Sequence, residues 1–359
     1  MAGNPQLWMR SETRPTERRA PLTPQDAARL VERGVRITVE DSVHRVFPLA
    51  DYAAAGCDLA PAGSWAGAAP EAAYVLGLKE LPPAPVRLRH RHVYFGHAYK
   101  GQPQAPGLLR RFASGGGTLL DLEYLADERG RRLAAFGYWA GYAGAALAAL
   151  HARGRLTAPL VPTPRTELDA RLREGALAPA RAPRALVIGA GGRSGRGACD
   201  ALSTAGIQVT RWDRAATHRL DRAALLDHDI LVNAVLTTRP VPPFLTPADL
   251  GPGPRRLSVI ADITCDTGSE LHLLPVYDRL TDWNEPVRRV SAQGPPLDVI
   301  AIDNLPSLLP AEAARDFSAD LLPKLLALQA PDPDPDWLRC HAAFTLAMAA
   351  LTEHPGRAA

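Results

Sequence analysis

Residues 184–199 constrain the fold of this chain more than any other stretch. Residues 185–188 are apolar and predict a short buried strand, and a helical pattern begins at Ala198. Between them stand Gly189, Gly192 and Gly195. A strand, a glycine-rich turn and a helix direct backbone N–H groups and a helix N-terminus toward a pyrophosphate. The spacing is GxxGxxG and not GxGxxG, so a tight turn without a ligand explains this stretch equally well on its own.

An acidic residue after the next predicted strand favours a dinucleotide site. Residues 207–212 predict that strand, and Asp213 follows it, close to the separation of about 20 residues expected after the glycines. A carboxylate there accepts hydrogen bonds from ribose hydroxyls and repels a 2′-phosphate, which favours NAD over NADP. The neighbouring Arg214 weakens this preference, and a solvated turn is the alternative interpretation of Asp213. Arg193, inside the glycine loop, is either a phosphate or nicotinamide contact or a solvated side chain.

Length, charge and cysteine spacing limit the class of protein. The 359 residues suffice for two domains, and 46% hydrophobic with 22% charged residues is typical of a globular protein. A net charge of +3, with both signs interspersed, gives no electrostatic reason to expect nucleic acid. We find no signal-peptide core, no apolar run of membrane-spanning length and no metal-ligand spacing among the cysteines. We therefore expect a cytoplasmic protein with free thiols, no metal and no membrane partner.

The first 130 or so residues alternate between strand and helix patterns without a phosphate loop of their own. After residue 136 an alanine- and glycine-rich helix is expected at 138–151, able to pack very closely against another element. A second α/β unit follows, and two amphipathic segments at 318–328 and 337–351 end the chain. The predicted strands lie at 7–12, 36–40, 73–78, 92–96, 118–122, 185–188, 207–212, 230–235, 257–261 and 298–302.

Two residues of the first half are candidate acid–base groups because each follows an apolar strand. Lys79 and His97 would then lie at the carboxyl edge of a sheet, where ligands bind in open α/β folds. A desolvated lysine beside other cations can act as a base near neutral pH, and histidine already titrates in that range. A lysine reaching solvent and a hydrogen-bonded core histidine are the alternative interpretations. Nearby arginines suit a substrate with several carboxylates, although arginines are frequent throughout this chain.

Several longer segments carry a more specific pattern. They are 10–19 (RSETRPTERR), 61–65 (PAGSW), 77–80 (GLKE), 97–100 (HAYK), 121–125 (DLEYL), 130–137 (GRRLAAFG), the glycine loop 189–197, 212–213 (WD) and 302–310 (IDNLPSLLP). Together, almost end to end, they resemble the lysine-forming saccharopine dehydrogenases, a monomeric branch of the alanine dehydrogenase-like fold.

The resemblance implies two Rossmann-like, doubly wound parallel-sheet α/β domains with a cleft between them. Residues 1–136 would form a substrate-binding domain, joined by a C-terminal helix at about 324–359, and residues 137–323 an NAD-binding domain. It implies that Lys79 and His97 are the acid–base pair. Arg19, Lys79, Gln102 and Phe136 would bind substrate. Cofactor contacts would come from Arg131, Gly189, Gly192, Arg193, Gly195, Asp213, Thr217, Ile263, Ile302, Asp303, Asn304 and Leu305.

The chain departs from the fungal members of that family at a few positions. They have cysteines where Ser194 and Ala234 stand, so no redox switch is expected here, and they have histidine where Asn304 stands. Residues 265–285 match poorly, which leaves the amino donor open.

The implied reaction is NAD-dependent oxidative deamination of saccharopine to L-lysine and 2-oxoglutarate, which is reversible. Two alternatives stay open. One is an opine-type imine reductase that joins 2-oxoglutarate to another amine. The other is a non-catalytic NAD-binding regulator, against which the presence of both Lys79 and His97 speaks.

Overall fold

The structure is a computed structural model that describes residues 6–99, 102, 104–174, 183–251, 254–291, 294–328 and 332–353. The chain divides into two compact units. The first contains Met1–Ala135 and Ala313–Ala359, and the second contains Phe136–Glu312. We expected the chain to return to the first domain at about residue 324. The division instead falls at Ala313, inside a long helix, so helical periodicity alone gave no signal for it.

The first unit is built on a six-stranded, wholly parallel sheet in the order β3-β2-β1-β4-β5-β6. The order places β1 beside β4, so the chain winds outward in both directions from this point. A crevice opens at the carboxyl ends of the strands at such a reversal. The strands are β1 (Gln6–Met9), β2 (Arg36–Glu40), β3 (Asp58–Ala60), β4 (Tyr74–Leu76), β5 (Arg91–Tyr94) and β6 (Thr118–Asp121).

Helices cover the faces of this sheet: α1 (Pro24–Glu32), α2 (Leu49–Ala54), α3 (Trp65–Ala68) and α4 (Ala105–Gly115). Thr23 caps α1 by accepting from the Asp26 N–H, and Pro24 occupies the first turn, as the sequence predicts. The strand β3 and the one-turn helix α3 were not predicted. Both are short, and β3 is an edge strand with exposed side chains, so neither has a clear hydrophobic period.

The prediction of a first strand extending to residue 12 is wrong at its carboxyl end. The strand stops at Met9, and the Arg10 N–H makes the last bond to the neighbouring strand, 3.0 Å from the Leu76 carbonyl oxygen. The next N–H, that of Ser11, turns to the side chain of Glu40 at 2.8 Å. The polar residues after Met9 therefore leave the ladder and form the edge of the crevice.

The second unit has its own six-stranded sheet, in the order β11-β12-β10-β9-β7-β8. All pairs are parallel except β11 with β12, which is antiparallel. Strand β7, which precedes the glycine loop, lies between β8 and β9, so the chain reverses its winding beside that loop. The strands are β7 (Arg184–Ile188), β8 (Gln208–Trp212), β9 (Ile230–Asn233), β10 (Val259–Asp262), β11 (Arg288–Ser291) and β12 (Leu297–Ile300).

The helices of the second unit are α5 (Gly137–Ala152), α6 (Arg165–Glu174), α7 (Arg193–Thr204), α8 (Arg214–His218) and α9 (Arg222–Leu226). Single 3₁₀ turns occur at Pro247–Leu250 and Leu305–Leu308. The edge strand β11 was not predicted, because its residues are mostly polar and half exposed. The prediction of two Rossmann-like, doubly wound domains is confirmed.

Two C-terminal helices complete the chain, α10 (Pro310–Ala327) and α11 (Pro335–Glu353). Helix α11 belongs to the first unit: Phe344 packs edge-on against Phe112 of α4, and the Cys340 thiol donates to the Asp121 carbonyl oxygen of β6 at 3.3 Å. None of the helices in the described ranges is long and apolar enough to cross a membrane.

Candidate active site

Two glycines of the loop in the second unit, Gly189 and Gly195, leave no space for a side chain. Gly189 has a φ of 81°, and a β-carbon on it would lie 2.8 Å from the Val235 side chain. A β-carbon on Gly195 would lie 2.1 Å from the Gly189 carbonyl oxygen. Gly192 is the N-cap of α7, which starts at Arg193. The loop therefore brings strand, turn and helix N-terminus into the compact arrangement that accepts a pyrophosphate.

Helix α5 packs directly on this part of α7 through backbone contact. A β-carbon on Gly141 would lie 1.8 Å from the Ser194 carbonyl oxygen, and one on Gly197 would lie 2.0 Å from the Tyr138 carbonyl oxygen. The expected close packing of the alanine- and glycine-rich helix is thus present, and its partner is the helix that follows the glycine loop. The position of the N-terminus of α7 depends on this contact.

Asp213 lies at the carboxyl end of β8 and is exposed. Its side chain caps α8 by accepting from the Ala216 N–H at 3.0 Å. Thr217, one turn later, donates its hydroxyl to the carbonyl oxygens of Asp213 and Arg214, both at 3.1 Å. Asp213 therefore combines a structural role with an exposed carboxylate, and Arg214 is exposed beside it.

The remaining predicted cofactor residues of the second unit follow the ends of β10 and β12. Ile263 comes directly after β10, and Leu305 opens the 3₁₀ turn after β12. Both pack at Gly144 of α5, where a β-carbon would lie 2.3 Å from Ile263 and 3.1 Å from Leu305. Between β12 and that turn lie Ile302, which is buried, Asp303, which is exposed, and Asn304, which is buried.

A buried carboxylate that was not predicted ties these strand ends together. Asp262, fully buried at the end of β10, accepts from Asn233 at the end of β9 at 3.0 Å, from the Thr264 hydroxyl at 2.7 Å and from the Tyr277 hydroxyl at 2.8 Å. Asn233 in turn accepts from the Val235 N–H at 3.2 Å. Since Val235 closes over Gly189, the network reaches the glycine loop.

In the first unit, Lys79 follows β4 at the reversal point of the sheet and is half-buried. Glu12 lies across from it, and its two carboxylate oxygens accept from the N–H groups of Leu78 (2.7 Å) and Lys79 (3.0 Å). Burial raises the pKa of Glu12 above its usual range, although Arg10 and these two N–H groups act in the opposite direction. The main chain at Lys79 is thus held by a buried carboxyl group.

Arg19 is buried and forms a two-point ion pair with Glu17. Burial acts to raise the pKa of Glu17, but the Arg19 guanidinium, together with the nearby charge of Lys79, lowers it below its usual range. The charges of both Arg19 and Lys79 therefore act on the same buried carboxylate.

His97 follows β5 with a φ of 47°, a conformation rare outside glycine, and its ring is about half exposed. Its Nδ1 lies 3.1 Å from the Glu123 carboxylate, which follows β6. The Glu123 N–H donates to Asp121 at 3.0 Å, and burial raises the pKa of Asp121. The ring also stacks on Phe95. The strained backbone directs an oriented imidazole outward at the carboxyl edge that also holds Lys79.

The other predicted substrate and cofactor residues lie at element ends. Gln102 is half-buried, and its carbonyl oxygen accepts from the Ala105 N–H at the start of α4. Phe136 is the N-cap residue of α5 and the first residue of the second unit. Arg131 is the one predicted cofactor residue in the first unit: it is exposed and forms an ion pair with Asp127 at 2.8 Å in a tight turn.

Four buried polar residues have structural roles at the site that sequence patterns did not reveal: Arg10, Glu17, Asp121 and Asp262. Arg10, Asp121 and Asp262 share one signal, a charged residue directly at the end of an apolar strand or just beyond it, whereas Glu17 lies in the loop eight residues after β1. The sequence contains many such positions, and only the fold shows which of them turn inward.

The donor groups present do not suggest a metal. Among the described residues, no three His, Cys, Asp or Glu side chains converge as metal ligands would. All four cysteines are free thiols. By contrast, the tight glycine loop, the helix N-terminus and the accessible Asp213 fit a dinucleotide.

The fold and these residues define the class. Residues 8–143 match the family described as alanine dehydrogenase/PNT, N-terminal domain. An L-alanine dehydrogenase structure superposes with a TM-score of 0.69 at 18% identity, covering 95% of this chain and 93% of that one, which shows a shared fold. The chain therefore has the two-unit fold of the alanine dehydrogenase class.

Curated relatives identify the family more closely. A saccharopine dehydrogenase [NAD(+), L-lysine-forming] of Neurospora crassa is 42% identical, covering 97% of each chain. One of Emericella nidulans with the same name is 39% identical over 98% of this chain and 99% of that one. The chain belongs to the family of NAD(+)-dependent, L-lysine-forming saccharopine dehydrogenases.

Proposed function

We propose that this protein catalyses the NAD-dependent oxidative deamination of saccharopine to L-lysine and 2-oxoglutarate. The observation that supports this most directly is the placement of Lys79 and His97 at one carboxyl edge, in a chain similar to lysine-forming saccharopine dehydrogenases over nearly its full length. The reaction is reversible, and the reductive direction would produce saccharopine.

We assign the cofactor site to the second unit. Gly189, Gly192 and Gly195 would hold the pyrophosphate against the N-terminus of α7, with Arg193 as a further contact. Asp213 would accept from the ribose hydroxyls, and its negative charge favours NAD over NADP. Thr217, Ile263 and the segment from Ile302 to Leu305 would line the rest of this site, and Arg131 is a further proposed contact.

We assign substrate recognition to the first unit. Saccharopine carries three carboxylates, and guanidinium groups bind carboxylates through two parallel hydrogen bonds. Arg19 is the proposed carboxylate ligand, held in position by Glu17, and Gln102 and Phe136 are proposed to contact the substrate as well. The buried Glu17–Arg19 pair limits the rotation of the guanidinium before substrate arrives.

The proposed chemistry needs two proton-transfer groups. Lys79 takes the proton from the secondary amine of the substrate, so that the nitrogen lone pair can form an imine as hydride leaves the glutamyl α-carbon. When bound, NAD accepts that hydride. Water then adds to the imine carbon, and His97 takes the water proton. His97 returns a proton to the nitrogen as the C–N bond breaks, and the remaining hydroxyl proton of the carbinolamine passes to the departing amine. This releases lysine with its ε-amino group as an ammonium and leaves the carbonyl group of 2-oxoglutarate.

Glu123 has a supporting role in this scheme. Its carboxylate lies 3.1 Å from Nδ1 of His97, which leaves the second ring nitrogen to exchange protons with the substrate.

We further propose that the protein acts as a monomer in the cytoplasm, with no nucleic-acid partner.

Steady-state turnover of saccharopine with NAD and with NADP tests the assignment. Lys79→Met and His97→Gln should each lower kcat with NAD by at least about 100-fold, since each removes a proton-transfer group. His341→Gln, an exposed histidine on α11, is the matched control and should keep wild-type turnover. If both Lys79→Met and His97→Gln stay within a few-fold of wild type, the assignment is wrong.

The amino donor is tested separately, in the reductive direction. NADH consumption with 2-oxoglutarate is followed for lysine and for a panel of other amines at equal concentration. Lysine should give the highest kcat/KM. A higher value for another amine would instead identify an opine-type imine reductase.

A further inference from the structure

A buried pair, Arg10 and Glu12, holds the main chain of Lys79 from both sides. We propose that Glu12, braced by Arg10, is a positioning residue that sets where the Lys79 ammonium meets the substrate amine. The inference deepens the proposed function, because it rests on Lys79 being the base. Neither side chain needs to touch the substrate for this role.

Main-chain hydrogen bonding explains why a carboxylate is needed at this point. The β1–β4 ladder ends with the Arg10 N–H bonded to the Leu76 carbonyl oxygen at 3.0 Å. Beyond it the two strands separate at the reversal point of the sheet. The N–H groups of Leu78 and Lys79 donate instead to Oε1 and Oε2 of Glu12, at 2.7 and 3.0 Å. The carboxylate thus continues the ladder past its end and satisfies donors that burial would otherwise make costly.

Arg10 completes the arrangement at the other main-chain group of the same residue. Its guanidinium is 1% exposed and donates to Glu12 at 3.2 Å, to the Ser11 carbonyl oxygen at 3.0 Å, and to the carbonyl oxygen of Lys79. Lys79 is therefore fixed at its N–H by Glu12 and at its C=O by Arg10. Hydrogen bonds in which one partner is charged are stronger than those between neutral groups.

The missing side chain of Gly77 leaves space for the Arg10 guanidinium. A β-carbon on Gly77 would lie 2.5 Å from Nε and 2.6 Å from Cζ of Arg10. Any side chain at residue 77 would push the guanidinium away from the carbonyl oxygen of Lys79. Gly77, Arg10 and Glu12 therefore act as one unit, and we call them the Lys79 clamp.

The expected effect on rate follows from the geometry of proton transfer. A base must lie within hydrogen-bond reach of the proton that it removes. Displacing a reacting group by about 1 Å can cost about 100-fold in rate. In Glu12→Gln, the amide NH₂ must face one of the two backbone N–H groups, so one bond is lost and the main chain at Lys79 shifts. We expect kcat with saccharopine to fall about 10- to 100-fold, with KM within about threefold of wild type.

A matched buried carboxylate controls for simple loss of stability. Asp26 is also buried in the first unit and accepts from Thr23, Arg29 and Ser318 at 3.1, 2.9 and 2.6 Å. Asp26→Asn should lower thermal stability but keep kcat. Equal losses of kcat in Glu12→Gln and Asp26→Asn would overturn the proposal.

A double-mutant cycle shows whether Glu12 acts through Lys79. If it does, adding Glu12→Gln to Lys79→Met should change the residual turnover by less than about twofold, because the positioned group is already gone. A loss in the Lys79→Met background as large as that in wild type would refute the clamp.

Chemical labelling of the lysines does not depend on turnover, so it tests this inference separately from the proposed function. The lysines of the chain are Lys79, Lys100 and Lys324, so acetic anhydride labelling read by mass spectrometry reports each one. Lys324, paired with Asp334 at 2.9 Å, is the internal reference. The Lys79-to-Lys324 labelling ratio should rise at least about threefold in Glu12→Gln, as the ammonium is freed to reach solvent, and stay at the wild-type value in Asp26→Asn. An unchanged ratio in Glu12→Gln would overturn the clamp whether or not saccharopine is the substrate.

A milder variant keeps the test available if Glu12→Gln does not fold. Glu12→Asp retains the charge but is one methylene shorter, so it can hold one of the two N–H groups well and the other poorly. Its kcat and labelling ratio should lie between those of wild type and those expected for Glu12→Gln. Wild-type values in this variant for both measurements would also contradict the proposal.

Discussion

Gly197 of α7 lies directly against Tyr138 of α5: a β-carbon built on the glycine would stand 2.0 Å from the tyrosine carbonyl oxygen. Two helix backbones can approach this closely only where a side chain is missing. The contact lies within the first half of α7, the helix whose N-terminus we assign to the pyrophosphate. Under this assignment, the position of the helix N-terminus at the cofactor site depends on a glycine that does not itself line the site.

Gly197→Ala should destabilise the second unit, because backbone atoms cannot move aside as a flexible side chain could. We expect a loss of about 3 kcal/mol or failure to fold, measured by chemical unfolding, and weaker NAD binding by calorimetry. Gly251→Ala is the matched control in the same unit, where the nearest atom lies 3.8 Å from the new β-carbon. Wild-type stability in Gly197→Ala would contradict the packing described here.

Asp213→Ser should change the choice of cofactor while keeping the helix cap. Serine also accepts from the Ala216 N–H as an N-cap, so α8 should remain intact, but the charge that repels a 2′-phosphate is gone. With Arg214 adjacent, we expect the ratio of kcat/KM for NADP to that for NAD to rise by at least about tenfold, which corresponds to about 1.4 kcal/mol.

The control for this change is Asp221→Ser, since Asp221 caps α9 in the same way, accepting from the Ala224 N–H at 3.0 Å. Its cofactor ratio should equal that of wild type. An unchanged ratio in Asp213→Ser would remove the basis for placing the ribose at this residue.

Patterns in the sequence predicted most of the fold because the central strands are apolar and the glycine loop is distinctive. The predictions failed where the hydrophobic pattern of a segment is weak. The exposed edge strands β3 and β11 lack a hydrophobic period. The polar residues after Met9 were assigned to β1, although the ladder ends at the Arg10 N–H and the Ser11 N–H turns to the Glu40 side chain. Charged residues at strand ends look alike in sequence whether they face solvent or turn inward, so the clamp around Lys79 could not be predicted.

The composition contains one further signal for the candidate base. Nearly all basic residues of this chain are arginines, and lysine occurs only at positions 79, 100 and 324. Arginine can supply positive charge almost anywhere, but it does not lose its proton in proteins, whereas a desolvated lysine does. In a chain that otherwise uses arginine, a lysine directly after a strand is a stronger candidate for a base than its position alone suggests.

The buried Glu17–Arg19 pair predicts a specific dependence of stability on pH. The pKa of Glu17 is lower in the folded protein than its ordinary value of 4.5, so the pair stabilises the fold above about pH 4.5. This contribution is lost as the pH falls through the lowered pKa. Glu17→Gln should cost about 3 kcal/mol at pH 7, because the buried guanidinium loses its partner, and the difference from wild type should shrink below pH 4.5.

Thermal or urea unfolding at pH 7 and at several values below 4.5 measures this difference. Glu80→Gln is the comparison. Partial burial acts to raise the pKa of Glu80, but its own backbone N–H and Arg14 lower it, and the side chain is 58% exposed, so screening by solvent makes the pair with Arg14 weak. A gap between wild type and Glu17→Gln that stays constant across these pH values would show that the pair does not stabilise the fold as described.

Glu40 occupies, at the end of β2 in the first unit, the same place that Asp213 occupies at the end of β8 in the second. Where Asp213 is exposed, Glu40 is completely buried. One oxygen accepts from the Trp8 indole (2.9 Å) and the Trp65 N–H (2.6 Å), and the other from the N–H groups of Ser11 and Gly63 (both 2.8 Å). In the first unit, the acidic residue at this position therefore holds the loop of residues 61–65 (PAGSW) and has no exposed oxygen for a ribose.

Glu40→Gln should therefore destabilise the first unit without affecting cofactor choice. In either orientation the amide NH₂ of glutamine faces two donors, so at least two hydrogen bonds become donor–donor contacts. We expect a loss of about 2–4 kcal/mol in urea unfolding, with the NADP-to-NAD ratio unchanged. Asp58→Asn, on the exposed edge strand β3, should be neutral in both measurements. If Glu40→Gln were as stable as wild type, the loop would have to be held by its apolar packing around Trp65 and not by this carboxylate.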